Sequence, residues 1–246
     1  DDTPIGCIAG VRYNQFYGFI GLYLVVEEFR GNGYGISLWK TALSHLVDLP
    51  CIGLEAAPDR VDDYSKWGFS VSSLTTRWQI YSEDGIYEHL NLLSEQMPGL
   101  SLLHGKDIPA DIINDYDQKR APSPRPHFIR DWLNHPAGDV LALIDNEGRC
   151  QGFGRIRPCL LNPGIGWRVG PIIADTPDLA QFLIVQLISR HPGLILIDSP
   201  GLNSYSDQIY DTLGFSKISQ TTRMYRGTQP PISMNQVYGL ACLELG

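Results

Sequence analysis

The feature that most constrains the fold is an internal repeat. The run Tyr64-Ser-Lys-Trp-Gly-Phe-Ser, followed by Thr75-Thr-Arg77, recurs 146 residues later as Tyr210-Asp-Thr-Leu-Gly-Phe-Ser, followed by Thr221-Thr-Arg223. Upstream, the apolar segments 52–55 and 195–198 match at a spacing of 143 residues. Several matches in the same order are typical of two copies of one structural unit. The sequence therefore predicts a tandem architecture.

The boundary between the copies is placed at Pro98-Gly99, a dipeptide that favours a turn. This gives an N-terminal domain over residues 1–98 and a C-terminal domain over 99–246. The second copy spends about 70 residues before its Gly170 strand, whereas the first reaches the matching strand by residue 20. We therefore expect the first domain to lack an opening segment of about 45 residues, which in copy two includes helix-like stretches 109–119 and 126–134.

Hydrophobic periodicity predicts the same elements in both copies. In the first copy, strands are expected near 5–13, 17–26, 51–55 and 69–82, with a helix over 33–47. In the second, strands are expected at 138–145, 149–157, 167–174 and 194–198, with a helix that Thr176 caps and Pro177 begins. Turn residues between neighbouring strands favour antiparallel pairing. The predicted fold class is α/β (α+β), in which each domain has a mixed, mostly antiparallel sheet flanked by helices.

Composition excludes several classes of function. Nineteen Lys and Arg against 27 Asp and Glu give a net charge of −8, which argues against nucleic acid as the main ligand. No apolar run approaches the roughly 20 residues that span a bilayer, so no membrane partner is expected. Five scattered cysteines without a C-x-x-C pair fit reduced thiols in the cytoplasm. The six histidines sit singly, and no metal site is predicted.

A glycine-rich loop is the predicted centre of the chemistry. The strand before it leads into Arg30-Gly31-Asn32-Gly33-Tyr34-Gly35, which opens the amphipathic helix. Glycines allow a ligand to approach the backbone, and N–H groups at a helix N-terminus bind phosphate. A P-loop is excluded because Trp39 rather than Gly precedes Lys40-Thr41. The spacing G-x-G-x-G also differs from the G-x-G-x-x-G of a dinucleotide-binding fold.

The R-x-x-G-x-G run closely resembles the loop of the GNAT acetyltransferase superfamily, which binds the pyrophosphate of coenzyme A. The preceding residues Tyr23-Leu-Val25-Val-Glu27 follow that family's strand pattern, with Glu27 where Pro is usual. The family's second signature, Tyr-x-x-x-Gly-Phe, is met by Tyr64 and Gly68-Phe69. Because both copies match, the chain resembles a tandem GNAT protein with a degenerate second domain.

The resemblance implies one acyl-CoA site per chain, in copy one. Its expected cofactor-binding residues lie on the strand end and the loop: Leu24, Val25, Val26, Arg30, Gly31, Asn32, Gly33, Tyr34 and Gly35. In copy two the positions answering this loop are taken as 177–182. There Pro177 offers no N–H, and Asp178 places a negative charge where pyrophosphate would lie. Copy two is therefore expected to be a scaffold or a wall of the acceptor pocket.

The chemistry requires a carbonyl-polarising group and a proton donor for the departing thiolate. Backbone N–H groups of residues 24–26 are the expected oxyanion donors, as is usual for such strands in the family. Tyr64 is the candidate general acid, because a phenol with a pKa of about 10 is protonated at neutral pH. Its alternative is a packing tyrosine, which Tyr210 must be in copy two. Glu55 is the candidate base, and its alternative is a salt-bridged carboxylate, with water carrying the proton instead.

Two other sets of residues have mainly structural interpretations. Arg155, Arg157 and Arg168 could bind an acceptor carboxylate, but a solvated strand face is favoured. Trp39, Trp67 and Trp78 are expected to pack in a core or between domains.

The leading hypothesis is an acetyl-CoA-dependent N-acetyltransferase that moves an acetyl group to a primary amine of a small metabolite by direct transfer. A protein or peptide N-acetyltransferase and a non-catalytic coenzyme A-binding module stay open. The sequence contains no motif that identifies the acceptor, the acyl length or the oligomeric state.

Overall fold

The computed structural model describes residues 3–83, 97–161, 164–231 and 234–245. The chain forms two compact units, each of which draws on both repeat copies. The first contains Asp1–Ser73, Thr221–Pro231 and Cys242–Gly246, and the second contains Leu74–Gln220 and Ile232–Ala241. The boundary at residue 98 describes the sequence repeat and stays a prediction. The compact units are a different division, because residues 74–82 of copy one and 221–227 of copy two each belong to the unit built mainly from the other copy.

The first unit has strands β1 (Gly6–Arg12), β2 (Tyr17–Val25) and β3 (Cys51–Ala56), with helices α1 (Tyr34–Leu46) and α2 (Val61–Ser65). Strand β4 (Ser70–Ser82) starts here and continues into the second unit. Strands β1 and β2 pair antiparallel, and β2 and β3 pair parallel. Residues 222–227 complete this sheet by pairing antiparallel with β3. These bounds confirm the strands and the helix predicted for the first copy.

A β-bulge in β2 sets the shape of the first unit near its loop. Between the pairs Cys7–Leu24 and Ala9–Gly21, β2 has one more residue than β1. Leu22 lies in this bulge with a φ of 53°, a left-handed conformation that is unusual for a residue with a side chain. Parallel pairing with β3 ends at Ile20–Leu54. Beyond these residues, β2 and β3 separate.

The second unit contains the remaining helices and strands. They are β5 (Leu100–His104), α3 (Ala110–Asp117), α4 (Pro126–Asn134), β6 (Asp139–Asp145), β7 (Cys150–Leu161), β8 (Gly164–Ala174), α5 (Pro177–Ile188), β9 (Gly193–Pro200), α6 (Ser204–Thr212), β10 (Ser216–Gly227) and β11 (Val237–Gly239). Strand β10 starts in this unit and continues into the first from Thr221. The strand order in this unit is β4-β9-β8-β7-β6-β5. The β8–β9 pair is parallel, whereas the other neighbours along this order pair antiparallel. The mixed, mostly antiparallel sheet with flanking helices is confirmed.

The strand β11 occupies the gap where β8 and β9 separate. Those strands pair at residues 167–169 with 195–197, and β11 then pairs antiparallel with β8 at Ile172 and Ile173. On its other side, Leu240 N–H donates to the backbone oxygen of Asp198 on β9 at 2.8 Å. The tail is therefore held between both strands by main-chain hydrogen bonds.

The structure corrects the match between the two glycine-loop regions. Eight residues separate β2 from α1, but only Asp175 and Thr176 separate β8 from α5. The second copy therefore lacks six residues of the loop, so 177–182 do not answer the Arg30–Gly35 run. Helices α1 and α5 begin 143 residues apart, at Tyr34 and Pro177. The second copy has lost the loop by shortening, not by substitution within it.

Burial explains the helix positions. Helix α1 buries Trp39, Ala42, Leu43 and Leu46, whereas Ile36, which the periodicity placed on the same face, is exposed. Helix α5 is buried on nearly all sides from Leu179 to Ile188, as expected for a helix that is apolar all round. Each unit has its own hydrophobic core, with Trp39 in the first and Trp78 in the second.

Candidate active site

A cleft of about 770 Å³ lies in the first unit, where β2 and β3 separate. It is lined by the end of β2, the glycine loop, the start of α1 and the α2 region. The lining residues are 20–25, Arg30, Gly31, Gly33, Gly35, Ile36, Trp39, Leu54, Glu55, Ala57, Asp59, Arg60, Asp63, Tyr64, Lys66 and Trp67. The cleft therefore brings together most of the residues that the sequence predicted for the site.

The N-terminus of α1 has no side-chain cap. The preceding residue, Gly33, has a φ of 85°, and Gly31 has a φ of 79°. This left-handed conformation favours glycine. A Cβ added to either glycine would meet no atom within 4 Å, so there is open space above the loop. The first N–H groups of a helix have no partner within the helix. They are therefore available as hydrogen-bond donors at the mouth of the cleft.

Two loop side chains hold this conformation. Arg30 Nε donates to the backbone oxygen of Val25 at 2.9 Å, which ties the loop to the end of β2. Asn32 Nδ2 donates to the backbone oxygens of Phe29 and Arg30 at 3.3 and 3.2 Å. The terminal nitrogens of Arg30 have no partner among the described residues. They can therefore contact an anion bound over the loop.

The end of β2 presents one amide to the cleft. Val26 N–H donates to the backbone oxygen of Ile5 at 2.8 Å, so it is already used on the β1 side. Peptide groups alternate sides along a strand, so Leu24 N–H also faces β1. Val25 N–H points away from β1, towards the side on which β2 leaves β3. Of the three predicted oxyanion donors, Val25 is thus the one that this geometry favours.

Tyr64 lies on the wall of the cleft against aromatic side chains. Its ring is 5.1 Å from that of Trp39 and 6.4 Å from that of Phe69. Burial, together with the nearby Tyr23, raises the pKa of Tyr64 above its usual value. Its hydroxyl has no hydrogen-bond partner among the residues that the structure describes. The phenol is therefore protonated and available to a ligand in the cleft.

The equivalent Tyr210 has the same local backbone as Tyr64 but differs in its burial and in what its hydroxyl contacts. The backbone oxygen of each tyrosine accepts a hydrogen bond from the N–H of the phenylalanine five residues later. A glycine with positive φ precedes that phenylalanine in each motif. Tyr210 is completely buried, however, and its Oη donates to the backbone oxygen of Tyr238 at 2.6 Å. It is the packing tyrosine that the sequence predicted for copy two.

Glu55 lies on the cleft wall, but both of its carboxylate oxygens are engaged. Arg223 Nε donates to Oε1 at 2.7 Å, and the Thr221 hydroxyl donates to Oε2 at 2.9 Å. Burial opposes the charge of Arg223, yet the neighbouring carboxylate raises the pKa of Arg223 overall. These contacts fit the salt-bridged alternative for Glu55. A carboxylate held in this way is poorly placed to accept a proton from an acceptor.

Sequence reasoning missed several residues of the cleft wall. The Tyr23 hydroxyl would lie 2.8 Å from a Cβ at position 35, so the third loop glycine leaves room for Tyr23. Trp67, expected in a core, is 38% exposed and lines the cleft. Arg60 and Lys66 add positive charge beside Tyr64, although each pairs with Asp63. Their closeness to the Tyr-x-x-x-Gly-Phe signature was the signal that could have identified them.

The arginines of the second unit do not form a solvated strand face. Arg155 is 2% exposed and donates to the backbone oxygens of Trp132 and Ala137. Burial and the nearby Arg157 lower the pKa of Arg155 to about 10. Arg168 pairs with the buried carboxylate of Asp198. The expectation was wrong because Trp132 of α4 packs against Arg155 and Arg157, and Asp198 of β9 holds Arg168.

Membrane-spanning helices and clusters of metal ligands can be assessed over residues 3–83, 97–161, 164–231 and 234–245. No helix among them is long and apolar enough to cross a membrane. No group of three or more His, Cys, Asp or Glu side chains within these ranges could hold a metal ion.

Comparison with known families identifies the class of protein that this site defines. Residues 113–239 match the acetyltransferase (GNAT) domain, and residues 1–69 match the acetyltransferase (GNAT) family. The chain belongs to the GNAT acetyltransferase family, and with two such domains it is a tandem GNAT protein.

Particular relatives extend over the whole chain. Holothin acyltransferase from a Pseudoalteromonas strain is 26% identical over 100% of this chain and 79% of its own length. The uncharacterized N-acetyltransferase YitH of Bacillus subtilis is 20% identical over 98% of this chain and 81% of its own length.

Solved structures share the fold. A provisionally assigned acetyltransferase from Pyrococcus horikoshii superposes with a TM-score of 0.78 at 19% identity, covering 100% of this chain and 77% of that one. A tandem GNAT protein from the clavulanic acid biosynthesis pathway superposes with a TM-score of 0.62 at 15% identity, covering 90% of this chain and 78% of that one. The family assignment makes acyl transfer the general activity of this class of protein.

Proposed function

We propose that this chain transfers an acetyl group from acetyl-CoA directly to a primary amine of a small metabolite. The observation that carries the proposal is the uncapped N-terminus of α1, with open space above Gly31 and Gly33, beside a cleft that contains Tyr64. A helix terminus of this kind binds a pyrophosphate, and the cleft gives the remainder of the molecule a path past the end of β2. The residues present therefore fit coenzyme A.

The loop holds the phosphates. The N–H groups of Gly33, Tyr34 and Gly35 supply donors at the positive end of the helix dipole. The Arg30 guanidinium adds a charge that neutralises part of the phosphate charge, while its Nε keeps the loop against Val25. Asn32 stabilises the loop through main-chain contacts.

Val25 and Tyr64 act on the reacting group. When bound, acetyl-CoA supplies a thioester whose carbonyl carbon an amine can attack. The Val25 N–H stabilises the negative charge that develops on the carbonyl oxygen, which is the role of an oxyanion-hole donor. Tyr64 donates its phenolic proton to the departing thiolate. The raised pKa of Tyr64 keeps that proton in place at neutral pH.

The amine loses its proton to water in this mechanism. Both oxygens of Glu55 accept hydrogen bonds from buried or half-buried partners, so we assign Glu55 a positioning role on β3. Because water accepts the proton of the amine, the mechanism needs no carboxylate base at the cleft wall. The acceptor must then be a neutral amine when it attacks.

Only the first unit carries the full set of groups. The second copy lacks six loop residues, and its α5 is capped by Thr176, whose side chain accepts from Leu179 N–H. One sequence relative that matches the whole chain is an acyltransferase named for holothin, which supports acyl transfer without fixing an acetyl group. We propose acetyl as the acyl group because both family models that match this chain are acetyltransferase models, and we propose a small molecule as the acceptor.

A thermal-shift measurement tests the cofactor. Wild type, Gly33→Asp and Gly33→Asn are heated with acetyl-CoA, coenzyme A or NADH. A ligand at 100 times its Kd stabilises by about 2.7 kcal/mol, which for a chain of this size is roughly 5–10 °C. Asn and Asp are similar in size and tolerate positive φ. Loss of the shift in Gly33→Asp but not in Gly33→Asn therefore isolates the effect of the charge at the phosphate site.

Turnover tests the transfer itself. Thiol release from acetyl-CoA is followed with a panel of small amines and with peptides that carry a free N-terminus or lysine. We expect small amines to be acetylated and Tyr64→Phe to lower kcat by about 100-fold. Turnover on peptides alone would favour the protein acetyltransferase. Binding without turnover on any acceptor, unaffected by Tyr64→Phe, would instead indicate a coenzyme A-binding module.

A further inference from the structure

The second unit contains a gap that corresponds to the cleft of the first. In each unit a parallel strand pair separates after a few residues, and the order of elements around the separation is the same. In the first unit the separation opens into the cleft. In the second, the tail strand β11 lies in it, paired with Ile172 and Ile173 of β8 and hydrogen-bonded through Leu240 to Asp198 of β9.

The two tyrosines of the repeat mark the same place in both units. Tyr64 lines the cleft of the first unit. Tyr210, at the matching position, donates from Oη to the backbone oxygen of Tyr238, which belongs to β11. A backbone carbonyl of the tail thus lies where a ligand acceptor would meet the hydroxyl of Tyr64.

We infer that the gap between β8 and β9 is the second copy's acyl-CoA slot converted into a peptide-binding site, and that its ligand is the chain's own segment 237–240. The chemistry is that of strand addition, in which an extended peptide satisfies the backbone groups of a neighbouring strand. Tyr210 has become an anchor for this internal ligand. It is not a proton donor to a substrate.

The backbone of segment 237–240 packs closely against β8 and β9 in this gap. A Cβ added to Gly170 of β8 would overlap the backbone oxygen of Leu240. A Cβ added to Gly239 would lie 3.2 Å from Ile197 Cδ1 and 3.4 Å from Ile172 Cβ, so the tail passes between β9 and β8. Val237 and Tyr238 are buried there. Among the residues that the structure describes, the tail backbone therefore fills the gap between β8 and β9.

The inference rests on the proposed function in one respect only, which is that coenzyme A is the ligand that segment 237–240 replaces. Its first test is a disulfide trap in the full chain. In Ile172→Cys/Gly239→Cys the two Cβ atoms lie close to the separation that a disulfide needs. We expect mild oxidation to consume two of seven thiols. The control, Ile172→Cys/Gly164→Cys, should keep all seven, because a Cβ at position 164 has no neighbour within 4 Å.

Binding stoichiometry of the trapped protein completes this test. Calorimetry with coenzyme A should give one site per chain in wild type, and the same in the oxidised double variant. Failure of the trap to form, or two sites per chain in wild type, would overturn the inference. If coenzyme A binds nowhere, the proposed function fails, while the trap still reports on the tail.

Hydrogen exchange supplies a test that does not depend on core cysteines. In wild type the Leu240 amide should be protected, and in Tyr210→Phe it should exchange at least tenfold faster because one anchor of the tail is lost. The control is Tyr205→Phe, whose side chain is half exposed. It should leave Leu240 protection unchanged. A Leu240 amide that exchanges in wild type as fast as an exposed one would show that the tail does not occupy the slot.

Discussion

Arg223 donates from Nε to the Glu55 carboxylate at 2.7 Å, and Arg77 makes the same contact with Asp198, also at 2.7 Å. Each pair lies within one compact unit, and each joins the arginine of one copy's Thr-Thr-Arg run to the carboxylate of the other copy. The acid near the end of β3 and of β9 therefore makes the same ion pair in both units. This recurrence supports a positioning role for Glu55, because Asp198 makes the same pair without a cofactor loop beside it.

Replacement of Glu55 by Gln should destabilise the protein strongly. Arg223 would stay buried without its counter-charge, and loss of one partner from a buried pair costs about 3–5 kcal/mol. Urea unfolding measures the change. The control is Asp63→Asn, which breaks an exposed pair with Lys66 and should change stability little. A hundredfold fall in kcat in a fully folded Glu55→Gln protein would instead identify Glu55 as the base.

The rate at high pH should report the state of Tyr64. Burial raises the pKa of Tyr64 above the usual value of about 10. A raised pKa means that the phenol keeps its proton to higher pH, so kcat should not fall until the pH exceeds about 10. Stopped-flow measurement of thiol release gives this profile. In Tyr64→Phe the high-pH fall should disappear together with most of the rate, and an unchanged profile would remove Tyr64 from the mechanism.

Gly35 and Tyr23 should behave as a coupled pair. Gly35→Ala places a methyl group 2.8 Å from the Tyr23 hydroxyl, so that side chain must move. Without the hydroxyl, the nearest described atom is Val25 Cγ2 at 3.4 Å, which is ordinary contact. The double variant Gly35→Ala/Tyr23→Phe should therefore gain the roughly 1 kcal/mol that Ala contributes over Gly in a helix. A double-mutant cycle by thermal unfolding measures this coupling, and strict additivity would contradict it.

Gly21→Ala should displace the C-terminal segment of the first unit. An added Cβ would overlap the backbone oxygen of Glu244, and backbone cannot move as cheaply as a side-chain tip. Crowding of this kind costs about 1–3 kcal/mol. The matched variant is Gly10→Ala, also on a strand of the first unit, where the nearest atom would be Ala42 Cβ at 3.4 Å. Equal melting temperatures for the two variants would show that Glu244 does not pack on β2 in solution.

The elements of both copies could be predicted from sequence because they depend on local patterns. The repeat fixed the order of strands and helices, and the apolar stripe of α1 with the glycines before it located the loop. The bulge at Leu22 could not be predicted, because it arises where two residues of β2 lie opposite one residue of β1. No local pattern in the sequence of either strand records that arrangement.

Long-range contacts account for the errors. Arg155 and Arg168 look like surface residues of a polar strand, but burial depends on α4 and β9, which are distant in sequence. The loss of the second loop was attributed to Pro177 and Asp178, although the deletion of six residues is visible only once β8 and α5 are located. Glu55 was ambiguous for the same reason, since its partner Arg223 lies 168 residues away.

The end of β10 completes the sheet of the first unit, and this has a consequence for how the chain is made in the cell. Residues 222–227 pair with β3, which ends at Ala56, so the first unit cannot close its sheet when its own copy emerges from the ribosome. The 171 residues from 57 to 227 take roughly 10–30 s to synthesise. During that interval residues 222–227, which pair with the edge of β3 and include the partner of Glu55, have not yet been synthesised. A ribosome-associated chaperone that covers this edge would have to stay bound throughout that interval.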